Sequence, residues 1–443
     1  MKGFRSQLML AFASASILVI AATASAQVRP GDVITRANAT KVANLVSPGN
    51  YMLVQQGMVM KIVPTTHLDW PPPYRAATEQ YSPQVQLTVG GNIQNYKAGL
   101  PFPLVDVNDP YAAQKIMWNF EFRPLYTDDV DARNVQVISH RPGQSGSVEA
   151  MTFGNFGFYK SIGRTEVAPM PIDNDIYQTG IAYRSGVFPV LEPEEMHGAG
   201  IVREGFVQPN VEDQVWEYSP ETRRLRRLPA TELSDAFGVA SRGGAGSSAG
   251  GVAGATTYAS TLDPDSSFGF DAKLTDYSYR LLGERPMLAV TDAANSPEQP
   301  CPYDGGRSVC PENWQMRNVY IIEADAKPRS PLSDQVIVPR RILYIDSEGW
   351  FITASDLFHP NGELWKTIAT FHAYRDRSTP YARVAVWPYK RMFQTAMVDE
   401  DVTTGFSTTV YSPSTSGNSE CWYINSGVVD KDFFTPARLE ESH

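Results

Sequence analysis

The chain has 443 residues, of which 42% are hydrophobic and 19% charged, and its formal net charge is −10. An acidic chain with only one short arginine run excludes nucleic acid and anionic membrane surfaces as partners held by charge. After the N-terminal segment, no stretch reaches the roughly 18–20 apolar residues of a membrane-spanning helix.

In chain order, residues 1–26 read as a secretory signal. Lys2 and Arg5 form the basic n-region, residues 8–22 the apolar h-region, and Ala24-Ser25-Ala26 the small-residue cleavage site. No cysteine stands at the cleavage site directly after the apolar run, so the expected product is a soluble protein, cleaved after Ala26, in a Gram-negative-type periplasm. Residues 35–46 read as a short helix capped by Thr35 and stopped by Ser47-Pro48-Gly49. Residues 51–54 and 58–63 then read as paired strands. Trp70-Pro71-Pro72-Pro73-Tyr74 is a rigid corner leading into a helix over 75–81. Asp109-Pro110 opens a helix over 109–117 that Trp118 to Glu121 continue. Residues 135–140 form a strand. Residues 153–159 (FGNFGFY) alternate glycine with aromatics, which marks a bent strand closely approached by other backbone.

Residues 215–228 (VWEYSPETRRLRRL) read as a hairpin with a basic second strand. Its alternation sets Arg224, Arg226 and Leu228 on one face, and arginines on both faces cannot all lie in a dry core. Three readings compete: ion pairs with acidic groups on adjacent strands, a polar rim for lipid head groups or a carboxylate, and contact with an acidic partner protein. The tract 241–255 is low-complexity Gly/Ala/Ser and reads as a flexible loop, not a domain boundary. Residues 261–283 combine carboxylates with Phe268 and Phe270, without the ligand spacing of a calcium loop. Cys301 and Cys310 bracket a loop that permits a tight reversal, so a disulfide is expected; Cys421 reads as a buried free thiol. Further strands are expected over 316–324 and 335–338.

Three β-type runs follow, over 342–346, 350–358 and 364–374. They are separated by Ser347-Glu348-Gly349 and by a loop with the hairpin dipeptide Asn361-Gly362. Together they predict a three-stranded antiparallel meander that is apolar on both faces. Such a sheet needs cover on both sides, or one face curved around an apolar ligand. Both arrangements fit the pattern.

The meander, with its Tyr344-Ile345-Asp346, Trp350 and Leu364-Trp365 signatures, resembles the periplasmic lipoprotein-sorting superfamily of LolA-type and LolB-type carriers. The Trp-Pro-Pro segment, the Trp216–Tyr218 hairpin with its arginines, the Phe268-Gly269-Phe270 run and the tail from Trp422 resemble family 1329 of the domains of unknown function. The resemblance spans nearly the whole mature chain. It implies a mostly β fold: a curved antiparallel sheet forming an open half-barrel, with helices on its concave side. It also implies a single lipoprotein-carrier-like domain over 27–443.

No G-x-S-x-G elbow, S-x-x-K, H-E-x-x-H, dinucleotide fingerprint or P-loop occurs, so a non-enzymatic role is expected, with no cofactor and no metal. The expected function is periplasmic carriage of a lipid, lipoprotein acyl chain or other hydrophobic small molecule. Apolar-cavity candidates are Trp216, Tyr218, Phe268, Phe270, Trp350, Ile352, Trp365 and Phe371, with Arg224 and Arg226 as polar rim. An outer-membrane protein or inner-membrane transporter is the expected protein partner, and nucleic acid is not. The alternative is a structural adaptor with a filled core beside such a transporter.

Overall fold

The computed structural model describes residues 28–141, 149–208, 211–228, 264–293, 301–328, 339–379, 384–413, 415–416 and 419–442. The expected signal segment, the 241–255 tract and the expected strand at 335–338 lie outside the described residues.

Among the described residues, sixteen strands share one sheet. They are β1 (Val33–Ile34), β2 (Met60–Ile62), β3 (Asp129–His140), β4 (Glu149–Lys160), β5 (Ile181–Glu192), β6 (Gly200–Phe206), β7 (Gln214–Ser219), β8 (Arg224–Leu228), β9 (Tyr277–Ala289), β10 (Glu312–Ala326), β11 (Arg340–Asp346), β12 (Ile352–Phe358), β13 (Leu364–Arg375), β14 (Arg391–Asp401), β15 (Ser407–Tyr411) and β16 (Trp422–Ile424). The order across the sheet is β1-β2-β10-β11-β12-β13-β14-β15-β3-β4-β5-β6-β7-β8, with β9 also on β10 and β16 also on β3. Two antiparallel meanders, β3–β8 and β9–β15, are therefore joined where β15 and β16 pair with β3. The parallel pair is β2 with β10. The result is a large curved sheet, not closed into a barrel, as the sequence predicts for the fold class.

The meander expected over 342–374 is β11–β13, in antiparallel register. Its two apolar faces are covered differently. Leu343 and Ile345, with Ile322 and Ala324 of β10, pack on Ile116, Met117 and Phe120 of a helix, α3, introduced below. Register and alternation send Ile342, Asp356 and Thr367 to the other face.

Helix α1 (Pro48–Gln56) covers that other face. The sequence reading placed a helix stop at Ser47-Pro48-Gly49 and a strand at 51–54. Instead Ser47 is the N-cap, its Oγ accepting from the Asn50 N–H at 3.0 Å, and Pro48 is the first helical residue. Ser-Pro is as good a start as a stop, and burial of Leu53 and Val54 decides for the helix. Consequently β2 pairs with β1 and β10, not with 51–54.

Upstream, the segment Arg36–Val42 is a 3-10 helix, with Thr35 and Asn38 forming the expected cap as a reciprocal capping box. Helix α2 (Pro72–Tyr81) starts within the proline corner. Helix α3 (Ala112–Glu121) starts later than Asp109, whose carboxylate instead accepts from the Tyr111 N–H at 2.8 Å in a preceding turn. Helix α4 (Pro436–Glu441) places Leu439 with Phe188, Val202 and Tyr218 on the same outer face as α1. In the Asn361-Gly362 loop only Gly362 takes a positive φ (85°), because the reversal spans His359 to Glu363 rather than two residues. The Cys301–Cys310 disulfide is formed, and Cys421 is buried with a free thiol.

Two consequences are measurable. A Cβ on Gly49 would lie 1.7 Å from Thr367 Oγ1, with Asp356 Oδ1 at 2.5 Å. Gly→Ala inside a helix ordinarily gains up to ~1 kcal/mol. Here overpacking against the sheet outweighs that gain, so Gly49→Ala is expected to lower stability by about 1–3 kcal/mol in urea titrations. Glu400, fully buried, accepts from Gln56 Nε2 at 2.7 Å and from Arg307 at 2.8 Å. Burial pushes its carboxyl up to about 7 from 4.5, and the Arg307 charge only partly opposes this. The folded state thus holds this proton more tightly than the unfolded chain. Glu400's contribution to stability is fullest below about pH 4.5 and declines as pH rises to about 7. Glu400→Gln should therefore show a smaller loss of stability than the parent between pH 4.5 and 8 in urea titrations at the two pH values.

Candidate functional site

A cavity of about 280 Å³ opens on the inner face of β3–β7, on the same side of the sheet as α3. The register builds its wall in rows. Val130, Phe158, Ser185, Arg203 and Val215 are successive partners across β3–β7, and Ala132, Phe156, Val187 and Ile201 form the next row. Every residue of both rows lines the cavity, and Val135, Val137, Met151 and Phe153 extend the wall. Where β4 carries large rings, facing positions are small. At Gly157 a Cβ would lie 1.8 Å from the Val130 carbonyl oxygen, so only glycine permits that approach of β3 and β4. This is the close backbone contact expected of the FGNFGFY run.

The remaining wall comes from the end of α3 and the segment after it, from residues 267–271, and from Gln394 and Met397 of β14 and Val410 of β15. Phe268 has φ 55° and Gly269 φ 86°. A positive φ at a bulky residue is uncommon and strained. Here it splits two rings between two compartments. Phe268 turns toward Tyr126 (5.9 Å) and Phe156 (6.0 Å) at the cavity, while Phe270 turns into the packed half against Phe120 (6.4 Å) and Tyr277 (5.3 Å). Trp422 of β16 stacks on Tyr126 at 6.1 Å and closes the end nearest the seam between the meanders.

One end of the cavity is charged. Arg123, just past α3, donates to the Phe120 carbonyl at 2.7 Å and lies 5.5 Å from the Phe268 ring. Lys160, at the end of β4, donates to the Glu121 carbonyl at 3.1 Å. Burial holds both side chains below their ordinary pKa values. Arg203 pairs with Asp213 at 2.7 Å and Asp271 at 3.3 Å. Burial likewise raises Tyr183, also in the lining, well above the usual phenol value.

The sequence-expected residues distribute over the whole sheet. Phe268 lines the cavity. Phe270, Trp350 and Ile352 lie in the packed half beneath α3. Trp216 and Tyr218 face outward, among the C-terminal Phe434 and Leu439. Phe371 is fully buried against Trp314 at 6.1 Å, and Trp365 stacks on His359 at 5.1 Å. In the basic hairpin, paired as expected, Arg224 is exposed and Arg226 meets Glu217 at 3.0 Å. The wall residues of β3–β6 went unnamed beforehand. Alternating apolar residues on a strand signal a buried face, and whether that face meets a helix or a cavity depends on distant segments.

The open and the packed halves of the inner face differ in their tolerance of bulk. Val187→Phe at the cavity should change stability by less than about 1 kcal/mol, whereas Ala324→Phe under α3 should cost about 1–3 kcal/mol or more in chemical denaturation.

Comparison with known proteins supplies a family. The model described as protein of unknown function (DUF1329) matches residues 33–440. A search of curated proteins returned no match. Among solved structures, the chain is similar to a domain described as outer membrane lipoprotein-sorting from Vibrio parahaemolyticus (13% identity, 74% of this chain and 98% of that one, TM-score 0.44). It is also similar to a DUF1329 family protein from Desulfovibrio piger (13%, 71% and 92%, 0.41) and a LolA superfamily protein from Nitrosomonas europaea (14%, 73% and 97%, 0.37). By the extent of the family match, the chain belongs to the DUF1329 family.

Proposed function

We propose that this DUF1329 member is a periplasmic binding protein that holds an apolar molecule against the inner face of its sheet and passes it between partners. The observation that carries this reading is the cavity of about 280 Å³ walled by aliphatic and aromatic side chains of β3–β6 and by Phe268. An apolar cavity of ~150 Å³ already holds benzene, so this one has room for on the order of a dozen carbon atoms. At about 0.8 kcal/mol per buried methylene, ten methylenes contribute roughly 8 kcal/mol before the costs of association. The net is weak, reversible binding, which suits a carrier better than a store.

The N-terminal signal reading and the Cys301–Cys310 disulfide, a bond that persists in oxidising compartments, support the periplasmic part of this reading. The basic hairpin bearing Arg224 and Arg226 is the surface we assign to a protein partner, either an outer-membrane protein or an inner-membrane transporter. The packed half beneath α3 favours the adaptor reading for that half alone.

Lipid extraction and mass spectrometry on protein prepared from periplasm without detergent test the proposal. A stoichiometric apolar species is expected, and Val187→Trp, which fills the cavity, should reduce it at least several-fold in a variant that still folds. Protein that carries no such species and ignores added apolar probes would leave the adaptor reading in its place.

A further inference from the structure

At the charged end of the cavity, two cations keep hydrogen-bond donors that no carboxylate among the described residues takes up. Arg123 and Lys160 each give one hydrogen bond to the C-terminal turn of α3, at the Phe120 and Glu121 carbonyls. A helix C-terminus offers only about half a negative charge between them. Neither cation makes an ion pair among the described residues, and Arg123 Nε is buried without a hydrogen-bond partner. The carboxylates in the lining are Glu121 and Asp271. Asp271 accepts from Arg203 at 3.3 Å, and Glu121 acts on both cations through its charge without a direct ion pair to either. Both cations also lie over aromatic rings, Arg123 4.2 Å from Phe120 and Lys160 5.4 Å from Phe158, which shield one side of each from water.

We infer that the ligand is a single-chain amphiphile with a monoanionic, carboxylate-class head held between Arg123 and Lys160, its tail lying along the rows of β3–β6. The inference rests on the binding reading above and adds the ligand's chemical class and orientation. Guanidinium and ammonium groups both pair with a carboxylate, and pairing is stronger away from water. A single negative charge takes up the spare donors of both cations, whose charge α3 and Glu121 already offset in part. A phosphate head, with about 1.5–2 charges, overcompensates. A cationic head is repelled.

Displacement of the neutral fluorophore 1-aminoanthracene from the wild-type protein separates the cases, with four probes that share a twelve-carbon tail. Dodecanoate should displace it at concentrations at least tenfold lower than methyl dodecanoate, and dodecyl phosphate should fall between them. Dodecyltrimethylammonium should be weakest. In Lys160→Met and Arg123→Met the acid should lose its advantage while methyl dodecanoate binds as before. If acid and ester displace equally in the wild type, the anionic head is wrong and the apolar cavity reading stands. Tighter binding of the phosphate overturns the carboxylate assignment. No binding of the fluorophore, with no displacement to measure, overturns both the head and the cavity reading.

Discussion

A sheet that is apolar on both faces must be covered on both, and the rest of this structure answers that requirement. Leu343 and Ile345 on one side, and Ala369 and Phe371 on the other, leave no solvent face in the central strands. The N-terminal segment and α1 supply the outer cover over β12 and β13, and the C-terminal segment with α4 supplies it over β5–β7. On the inner side, α3 and residues 270–277 cover one half. Nothing of comparable bulk reaches the inner face of β3–β6 among the described residues, and the cavity is the space that remains.

The cover is held by buried polar anchors as much as by apolar contact. Asp128, just before β3, accepts from the backbone N–H groups of Thr165, Glu166 and Val167 at 2.6–2.7 Å. Glu166 in turn meets Arg391 at the start of β14 (3.0 Å) and Asn425 after β16 (2.9 Å). These links converge where the two meanders join, at the foot of the strand that contributes Val130 and Ala132 to the cavity. A carboxylate accepting several backbone donors is satisfied even when fully buried, whereas cutting one such link exposes its partners to the full desolvation cost. The wall of the cavity is therefore fixed by the same groups that fix the fold.

Arg123 and Lys160 show how site and scaffold overlap. Both cap the end of α3, a structural duty met elsewhere by water or glycine. Burial beside aromatic rings turns the same pair into a charged end for an apolar space. The two positive φ values at Phe268 and Gly269 then separate the ring that packs from the ring that lines.

Much of this was legible in the chain itself. The two-sided apolar strands of the meander, the arginine hairpin with its register, the disulfide loop and the glycine-aromatic strand are local patterns with periods of two or turn residues of fixed meaning. Ser47-Pro48 was ambiguous, because the same dipeptide ends one helix and begins another; packing of the helix on the distant sheet, with Leu53 and Val54 buried and Gly49 close to Thr367, settles it. The site was least legible. Trp216, Trp365 and Phe371 have the composition of a ligand pocket, yet face the outer cover, a stacked histidine and the closed core. Val130, Ala132 and Val187 look like any strand residues. Residue type determines that a side chain leaves water. Which partner it then meets, a helix or an open space, is decided by how far the covering segments reach, and that is a property of the tertiary structure alone.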